Sequence, residues 1–304
     1  MKPLVIGLIG CGLWGRNILR ELVHLNAQSM VVDPSSESRD YADQNAAHKS
    51  YETWEELPEV DGFILSTPAS QHAEQIKALI PSGKPIFTEK PFVLTLEEAL
   101  EIQKLSADQV FVMHVWRYHS AVQKLKEIIT SKQLGEIELI RTRRCNWTSP
   151  RKDVDPIWTL LPHDISIFTE LMGTVPTAES AFAEFGNSKP TGMIAHTRAG
   201  CTCIAEVSTR YPEKIREIRV HGSRGVAVMP ADGSEIHLYS GEAESDKPNR
   251  EIIQTDTEPA LRKEVDTFLS YLRGGEAPVT GLEEAIEITR CLTELRSMAG
   301  LTNG

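Results

Sequence analysis

Gly10, Gly12 and Gly15 stand in the stretch Gly10-Cys11-Gly12-Leu13-Trp14-Gly15, directly behind the apolar run Leu4 to Ile9 and ahead of a helix-like run from Asn17 to Leu25. In that setting the first glycine makes a tight turn, the second lets backbone approach a pyrophosphate, and the third lets helix pack on strand. The phosphates then sit at the positive end of the helix. Leu13 and Trp14 lie inside the same turn. Asp33 closes the next apolar run, Met30 to Val32, near the spacing of a carboxylate that accepts hydrogen bonds from the adenosine ribose hydroxyls. The pattern predicts a dinucleotide site. Asp33 favours NAD by excluding a 2′-phosphate, while Ser35 and Arg39 nearby leave NADP open.

Two further positions could carry acid–base chemistry. Thr88-Glu89-Lys90-Pro91 follows the short apolar run Ile86-Phe87, at a strand's carboxyl end, where open α/β sheets place their ligands. An ammonium there can favour a developing oxyanion on a substrate hydroxyl, although a solvated loop lysine has the same sequence signature. Pro91 biases Lys90 away from helix and makes a cis bond an option. His163-Asp164 reads as the opening of a helix through Ile165, Phe168 and Met172 that stops at Gly173, with Pro162 near its first position. In a first turn the helix dipole disfavours the imidazolium, and a neutral imidazole suits a general base. A hydrogen-bonded structural histidine is the alternative, and Asp164 reads first as a helix N-terminal carboxylate.

These residues need a scaffold, and the chain supplies two patterns. Up to about Val115, apolar runs (Leu4 to Ile9, Met30 to Val32, Gly62 to Leu65, Ile86 to Phe87, Val110 to Val115) alternate with helical periodicity over Asn17 to Leu25, Gln71 to Ile80 and Leu96 to Leu105. Thr95-x-x-Glu98 resembles a capping box for the last helix. Such alternation predicts crossover connections and a parallel sheet. After a helix over Ala121 to Ile129 the pattern changes to strands joined by short turns. These are Ile137 to Cys145, Thr177 to Phe185, Gly192 to His196, Cys201 to Tyr211, Arg216 to His221, Val226 to Met229 and Glu235 to Tyr239. Two helices, through Leu261 to Leu272 and Ala285 to Met298, close the chain, and Ser240 to Arg250 reads as a mobile polar loop. The fold expected is an α/β Rossmann domain with a doubly wound parallel sheet over residues 1–117, then an α+β domain with a large, mainly antiparallel open sheet over 118–304.

Composition narrows the partners. At 304 residues the chain exceeds one ordinary core, and its net charge of −11 argues against nucleic acid or an anionic membrane surface. Five cysteines fit no disulfide framework and suit a reducing cytoplasm. Cys201 and Cys203 alternate onto one strand face and read as core packing, so no metal is expected. The N-terminal apolar run enters the glycine turn without a cleavage site, and no stretch is long enough to span a bilayer.

The succession Gly10-x-Gly12-x-x-Gly15, Ser66-Thr67-Pro68-x-x-x-His72, Gly83-Lys84-Pro85-Ile86-Phe87-Thr88-Glu89-Lys90-Pro91 and a histidine-bearing helix before a β-rich region resembles the Gfo/Idh/MocA family of nicotinamide-dependent oxidoreductases. The resemblance implies hydride exchange between nicotinamide and a hydroxyl or ketone of a sugar, sugar derivative or cyclitol, the substrate lying between the two domains. It matches Lys90 and His163 to the catalytic lysine and histidine, and sets Thr67, Pro68, His72 and Glu89 beside the cofactor. His72 could equally cap its helix. The family commonly carries an aspartate four residues before the histidine. Here that position is Thr159, whose hydroxyl cannot offset an imidazolium charge; Asp153 and Asp155 are substitutes to consider. Arg117 matches a position near substrate and nicotinamide, or else forms a domain-boundary salt bridge. Asn146, Trp147 and Trp158 flank the expected pocket, the tryptophans as stacking faces or as core. A homodimer or homotetramer through the broad sheet face is expected. Two rivals use the same scaffold: an NAD-assisted lyase or glycosidase, and a catalytically silent nucleotide-binding regulator.

Overall fold

The computed structural model describes residues 2–105, 108–148, 154–231, 233–240 and 248–301. Two compact units form, one from Met1–Met113 with Leu261–Thr289 and one from His114–Ala260 with Arg290–Gly304. Leu261–Thr289 thus belongs with the first unit although it lies far beyond residue 118, where the sequence reading begins the second.

The first unit is a six-stranded parallel sheet of β1 (Val5–Ile9), β2 (Gln28–Val32), β3 (Lys49–Tyr51), β4 (Gly62–Leu65), β5 (Ile86–Thr88) and β6 (Val110–Val112), ordered 3-2-1-4-5-6. Ile6, Leu8, Ile64, Leu65, Ile86 and Phe87 are all fully buried, as strands covered on both faces must be. The covering helices are α1 (Gly15–His24), α2 (Ser36–Gln44), α3 (Ala69–Leu79), α4 (Leu96–Leu105) and, from far along the chain, α7 (Ala260–Leu272). Phe268 of α7 stacks on Phe87 at 5.0 Å, and Tyr271 meets Phe111 edge-on. A Cβ on Gly62 would lie 3.1 Å from both Leu272 and Phe268, so the bare backbone of β4 is what lets α7 approach. Thr95 and Glu98 exchange the two expected capping bonds at the start of α4. β3 and α2 escape the sequence reading because they are short and polar; α2 buries only Ser38 and Ala42.

Register is what assembles the site. Ile9 pairs with both Val32 and Leu65, Leu65 with Thr88, and Thr88 with Val112. The residues that follow, Gly10, Asp33, Ser66, Glu89 and Met113, therefore stand in a row along the carboxyl edge of the sheet. This is where doubly wound folds bind their ligands.

The second unit joins α5 (Ser120–Thr130) and α6 (Pro156–Met172) to an eight-stranded sheet. Its strands are β7 (Ile137–Trp147), β8 (Thr177–Gly186), β9 (Lys189–Arg198), β10 (Thr202–Ser208), β11 (Arg210–Gly222), β12 (Gly225–Met229), β13 (Glu235–Ser240) and β14 (Asn249–Gln254). The order is 14-13-12-11-7-10-9-8, antiparallel throughout except where β10 runs parallel to β7. α6 packs on β7, β9 and β10, covering one sheet face. That face buries Ile140, Thr142, Arg144, Ile218 and Val220. The other shows Arg143 bonded to Glu206 at 2.9 Å and leaves Phe182 and Ile194 exposed. The single run expected from Cys201 to Tyr211 breaks at Thr209 into β10 and β11. β14 was missed because it is a mostly exposed edge strand that begins in the last two residues of what reads as a polar loop; residues 241–247 of that loop lie outside the described residues.

All five cysteines are free and buried. Cys201 and Cys203 share a face with their sulfurs 3.9 Å apart, as core packing predicts. Among the described residues no helix is long and apolar enough to cross a membrane.

Candidate active site

In the first unit each glycine of the opening turn has its own task. Gly10 has φ +93°, and a Cβ there would stand 2.6 Å from the Ser66 carbonyl oxygen. A Cβ on Gly15 would collide with the Gly10 carbonyl, so α1 can pack against the turn only without one. Gly12 has nothing within 4 Å of its Cβ position, and no side chain caps α1. Open space beside uncapped backbone N–H groups at a helix start fits a pyrophosphate. Leu13 is 88% exposed in the same turn.

Asp33 is buried and held at both oxygens, Oδ2 by the Cys11 N–H at 2.7 Å and Oδ1 by the Ser35 N–H at 2.9 Å. Its carboxylate is thereby fixed at the sheet edge with lone pairs to spare for ribose hydroxyls. The Ser35 hydroxyl caps α2, and Arg39 donates to the carbonyls of Asp33 and Pro34 at 2.8 and 3.0 Å. Burial, and then the Asp33 charge, push the Cys11 thiol up to about 11, so it stays protonated.

Lys90 lies two residues past the end of β5, half-buried, and its bond to Pro91 is cis. The loop that carries it is tied down on two sides. Trp14 donates its indole N–H to Glu89, whose other oxygen accepts from the Lys90 N–H at 3.1 Å. His72 is buried, with Nδ1 2.9 Å from the Pro91 carbonyl and Nε2 3.1 Å from the Thr67 carbonyl. It therefore clamps the β4 and β5 loops rather than capping α3, whose N-cap is Pro68. Thr67 bonds Gln75 at 2.5 Å.

In the second unit α6 differs from the sequence reading. Asp155 caps it, accepting from Ile157 and Trp158 N–H at 3.0 and 3.2 Å, and Pro156 takes the first position. Asp155 and Pro156 carry the start signal that was assigned to Pro162, so His163 lies about two turns inside the helix. The dipole argument for its neutral form does not reach that far. Apart from Met172 at its end, α6 is buried at every position except Thr159 and His163. Four residues apart, they share one stripe. This half-exposed stripe on an otherwise enclosed helix is the second unit's candidate for chemistry.

The neighbours are structural. Asp155 pairs with Arg296 at 2.5 Å through one oxygen and caps α6 through the other; Asp153 lies outside the described residues. Asp164, 1% exposed, is not a helix-opening carboxylate but the partner of buried Arg144, at 2.9 and 3.4 Å. Arg144 in turn lies over the Trp116 ring. Trp158 is 2% exposed and belongs to the core, which rules out the stacking role. Trp147 is exposed, with Arg210 over its ring. Arg117 is buried and bonds Glu170 at 2.7 Å within the second unit, and Asn146 accepts from Arg216 at 3.0 Å. Burial alone would raise Glu170, but hydrogen bonds from Lys126 and Arg117 hold it below the usual carboxylate range. The Arg144–Asp164 pair was missed because it depends on strand register. Its one sequence signal is the alternation Ile140, Thr142, Arg144, Asn146 along the covered face of β7.

A family described as "Oxidoreductase family, NAD-binding Rossmann fold" matches residues 4–116, and the C-terminal domain of the same family matches residues 122–228. The chain belongs to the Gfo/Idh/MocA family. Inositol 2-dehydrogenase of Rhizobium meliloti is 22% identical over 96% of each chain. UDP-N-acetylglucosamine 3-dehydrogenase of Acidithiobacillus ferrooxidans is 26% identical over 88% of each. Among solved structures, levoglucosan dehydrogenase in complex with NADH superimposes with a TM-score of 0.87 at 16% identity, covering 98% of this chain and 97% of that one. Membership makes this chain an oxidoreductase with an NAD-binding Rossmann domain.

Proposed function

We propose that this Gfo/Idh/MocA protein is a cytoplasmic NAD-dependent dehydrogenase or reductase acting on a hydroxyl or ketone of a sugar, sugar derivative or cyclitol. The observation that carries the reading is the row at the sheet's carboxyl edge, where Gly10, Asp33 and the Lys90 loop follow mutually paired strands. Relatives named for inositol, UDP-N-acetylglucosamine and levoglucosan support the substrate class.

NAD, when bound, supplies the hydride acceptor or donor. Gly12 and the uncapped start of α1 would hold its pyrophosphate, and Asp33 its adenosine ribose. The Lys90 ammonium stabilises the substrate oxygen as its proton leaves, and His163 takes that proton. Thr159 can hydrogen-bond but not neutralise the resulting imidazolium, so stabilisation of the substrate oxygen by the Lys90 ammonium matters more than it would beside a carboxylate. Thr159 also favours a second reading, a nucleotide-binding regulator without turnover. Free, buried cysteines support the cytoplasm, and the exposed Phe182, Phe185 and Ile194 support a homodimer or homotetramer through the open sheet face.

The test is a screen of nicotinamide absorbance with NAD and NADP against sugars, nucleotide sugars and cyclitols. The dehydrogenase reading expects reduction of NAD by at least one of them. Binding of NAD without reduction by any member would select the regulator, and bond cleavage without net reduction the lyase.

A further inference from the structure

The covered face of the second unit's sheet ends in an unusual row. Strands β7 and β11 pair Ile140 with Val220, Thr142 with Ile218 and then Arg144 with Arg216. The first two pairs bury apolar or hydroxyl groups, whereas the third sets two guanidiniums directly opposite each other, an arrangement that destabilises a sheet unless something compensates it. Among the described residues one carboxylate reaches the pair, and it is already committed. Asp164 sends both oxygens to Arg144, at 2.9 and 3.4 Å.

Arg216 is half-buried and donates only to neutral oxygens: the carbonyls of Ile215 and Cys145 at 2.7 and 3.0 Å and the Asn146 side-chain oxygen at 3.0 Å. Among the described residues no carboxylate lies within ion-pair distance of it. Burial, and then the charge of Arg144, push Arg216 down to about 10, and at neutral pH it remains a cation. Three bonds to fixed backbone and amide oxygens hold the fork in one orientation, which suits bidentate recognition of a planar carboxylate or a phosphate. The cluster Arg144–Asp164–Arg216 carries one positive charge more than it neutralises. Asp164, the carboxylate that partly compensates this cluster, follows His163 in α6.

We infer that Arg216 is a specificity-determining residue that binds an anionic group of the substrate, either a sugar carboxylate or a phosphate. The inference rests on the dehydrogenase reading above and narrows it from polyols in general to anionic ones. Arg144 stays bound to Asp164, and the incoming oxygens supply the counter-charge that the pair of guanidiniums lacks.

The experiment compares wild type and Arg216→Gln, both saturated with NAD, in thermal unfolding with D-glucose, D-glucuronate, D-glucose 6-phosphate and inorganic phosphate at matched ionic strength. Wild type should be protected more by at least one anion than by glucose, and the anion that protects identifies carboxylate or phosphate. Arg216→Gln should keep its NAD affinity, unfold no earlier than wild type without ligand because a like-charge contact is gone, and lose the anion-specific protection. For a turned-over anionic substrate KM should rise by about 10- to 100-fold, as loss of a charged hydrogen bond predicts. Arg216→Lys, which keeps the charge without the fork, should retain more phosphate than carboxylate protection. Equal protection of wild type by glucose and every anion would overturn the inference, as would equal anion protection of wild type and Arg216→Gln. If wild type reduces NAD with a neutral polyol and shows no anion preference, this inference fails and the dehydrogenase reading stands. Anion protection that depends on Arg216, with no NAD reduction by any sugar tested, would leave the inference standing and remove the reading beneath it.

Discussion

The sheet edge of the first unit and the exposed stripe of α6 in the second present chemistry in opposite ways. The first works through backbone: a turn open at Gly12, an uncapped helix start, and loops fastened by Asp33, Glu89 and His72. The second works through side chains, with Thr159 and His163 left half-exposed on a helix otherwise enclosed by the fold. Backbone sites require glycine and strand ends at fixed spacing, and so constrain the sequence tightly. A side-chain stripe asks only for buried surroundings, which many sequences provide.

That contrast yields tests of decreasing size. Lys90→Met removes the cation proposed to meet substrate at the backbone-built edge, so turnover should fall by about 10²- to 10⁴-fold while calorimetry finds NAD affinity within a few fold. Unchanged turnover would move the proton chemistry entirely to the second unit. Asp164→Asn should cost about 3–5 kcal/mol in denaturant unfolding, because Arg144 is left buried beside Arg216 without its counter-charge. A near-neutral result would mean the pair is not the support of α6. Gly12→Val separates a glycine kept for ligand from one kept for packing. Its Cβ meets nothing, so melting should hardly change while the NAD dissociation constant rises about tenfold or more. Thr159→Asp should move the acid limb of the rate profile up by about one unit, as a carboxylate favours the imidazolium, and raise the limiting rate on the alkaline side of that limb.

The smallest effect is a pH dependence confined to the second unit. Glu170 is depressed in the folded state, so its contribution is complete above its unfolded value of about 4.3 and disappears as pH falls through the lower folded value. Melting temperatures should therefore drop on acidification below that point, and Glu170→Gln should lower the neutral value and flatten the drop. An unaltered acid slope in the variant would assign the loss to other carboxylates.

The same contrast explains what was readable beforehand. The glycine turn, Asp33, the strand before Lys90 and the change to an antiparallel sheet were legible because backbone requirements and apolar alternation both leave marks in spacing. Polar α2 and edge strand β14 lacked an apolar period. The start of α6 was misplaced because two prolines compete for the first-turn signal, and only Asp155 decides between them. Arg144, Asp164 and Arg216 were invisible as a cluster because cross-strand register and helix docking bring them together.

The most direct test is a calorimetric titration of the folded wild-type chain with NAD and with NADP. The account predicts one site per chain, NAD bound more tightly than NADP, and a preference that weakens in Asp33→Ser. Uptake of neither nucleotide by protein that melts cooperatively would contradict it.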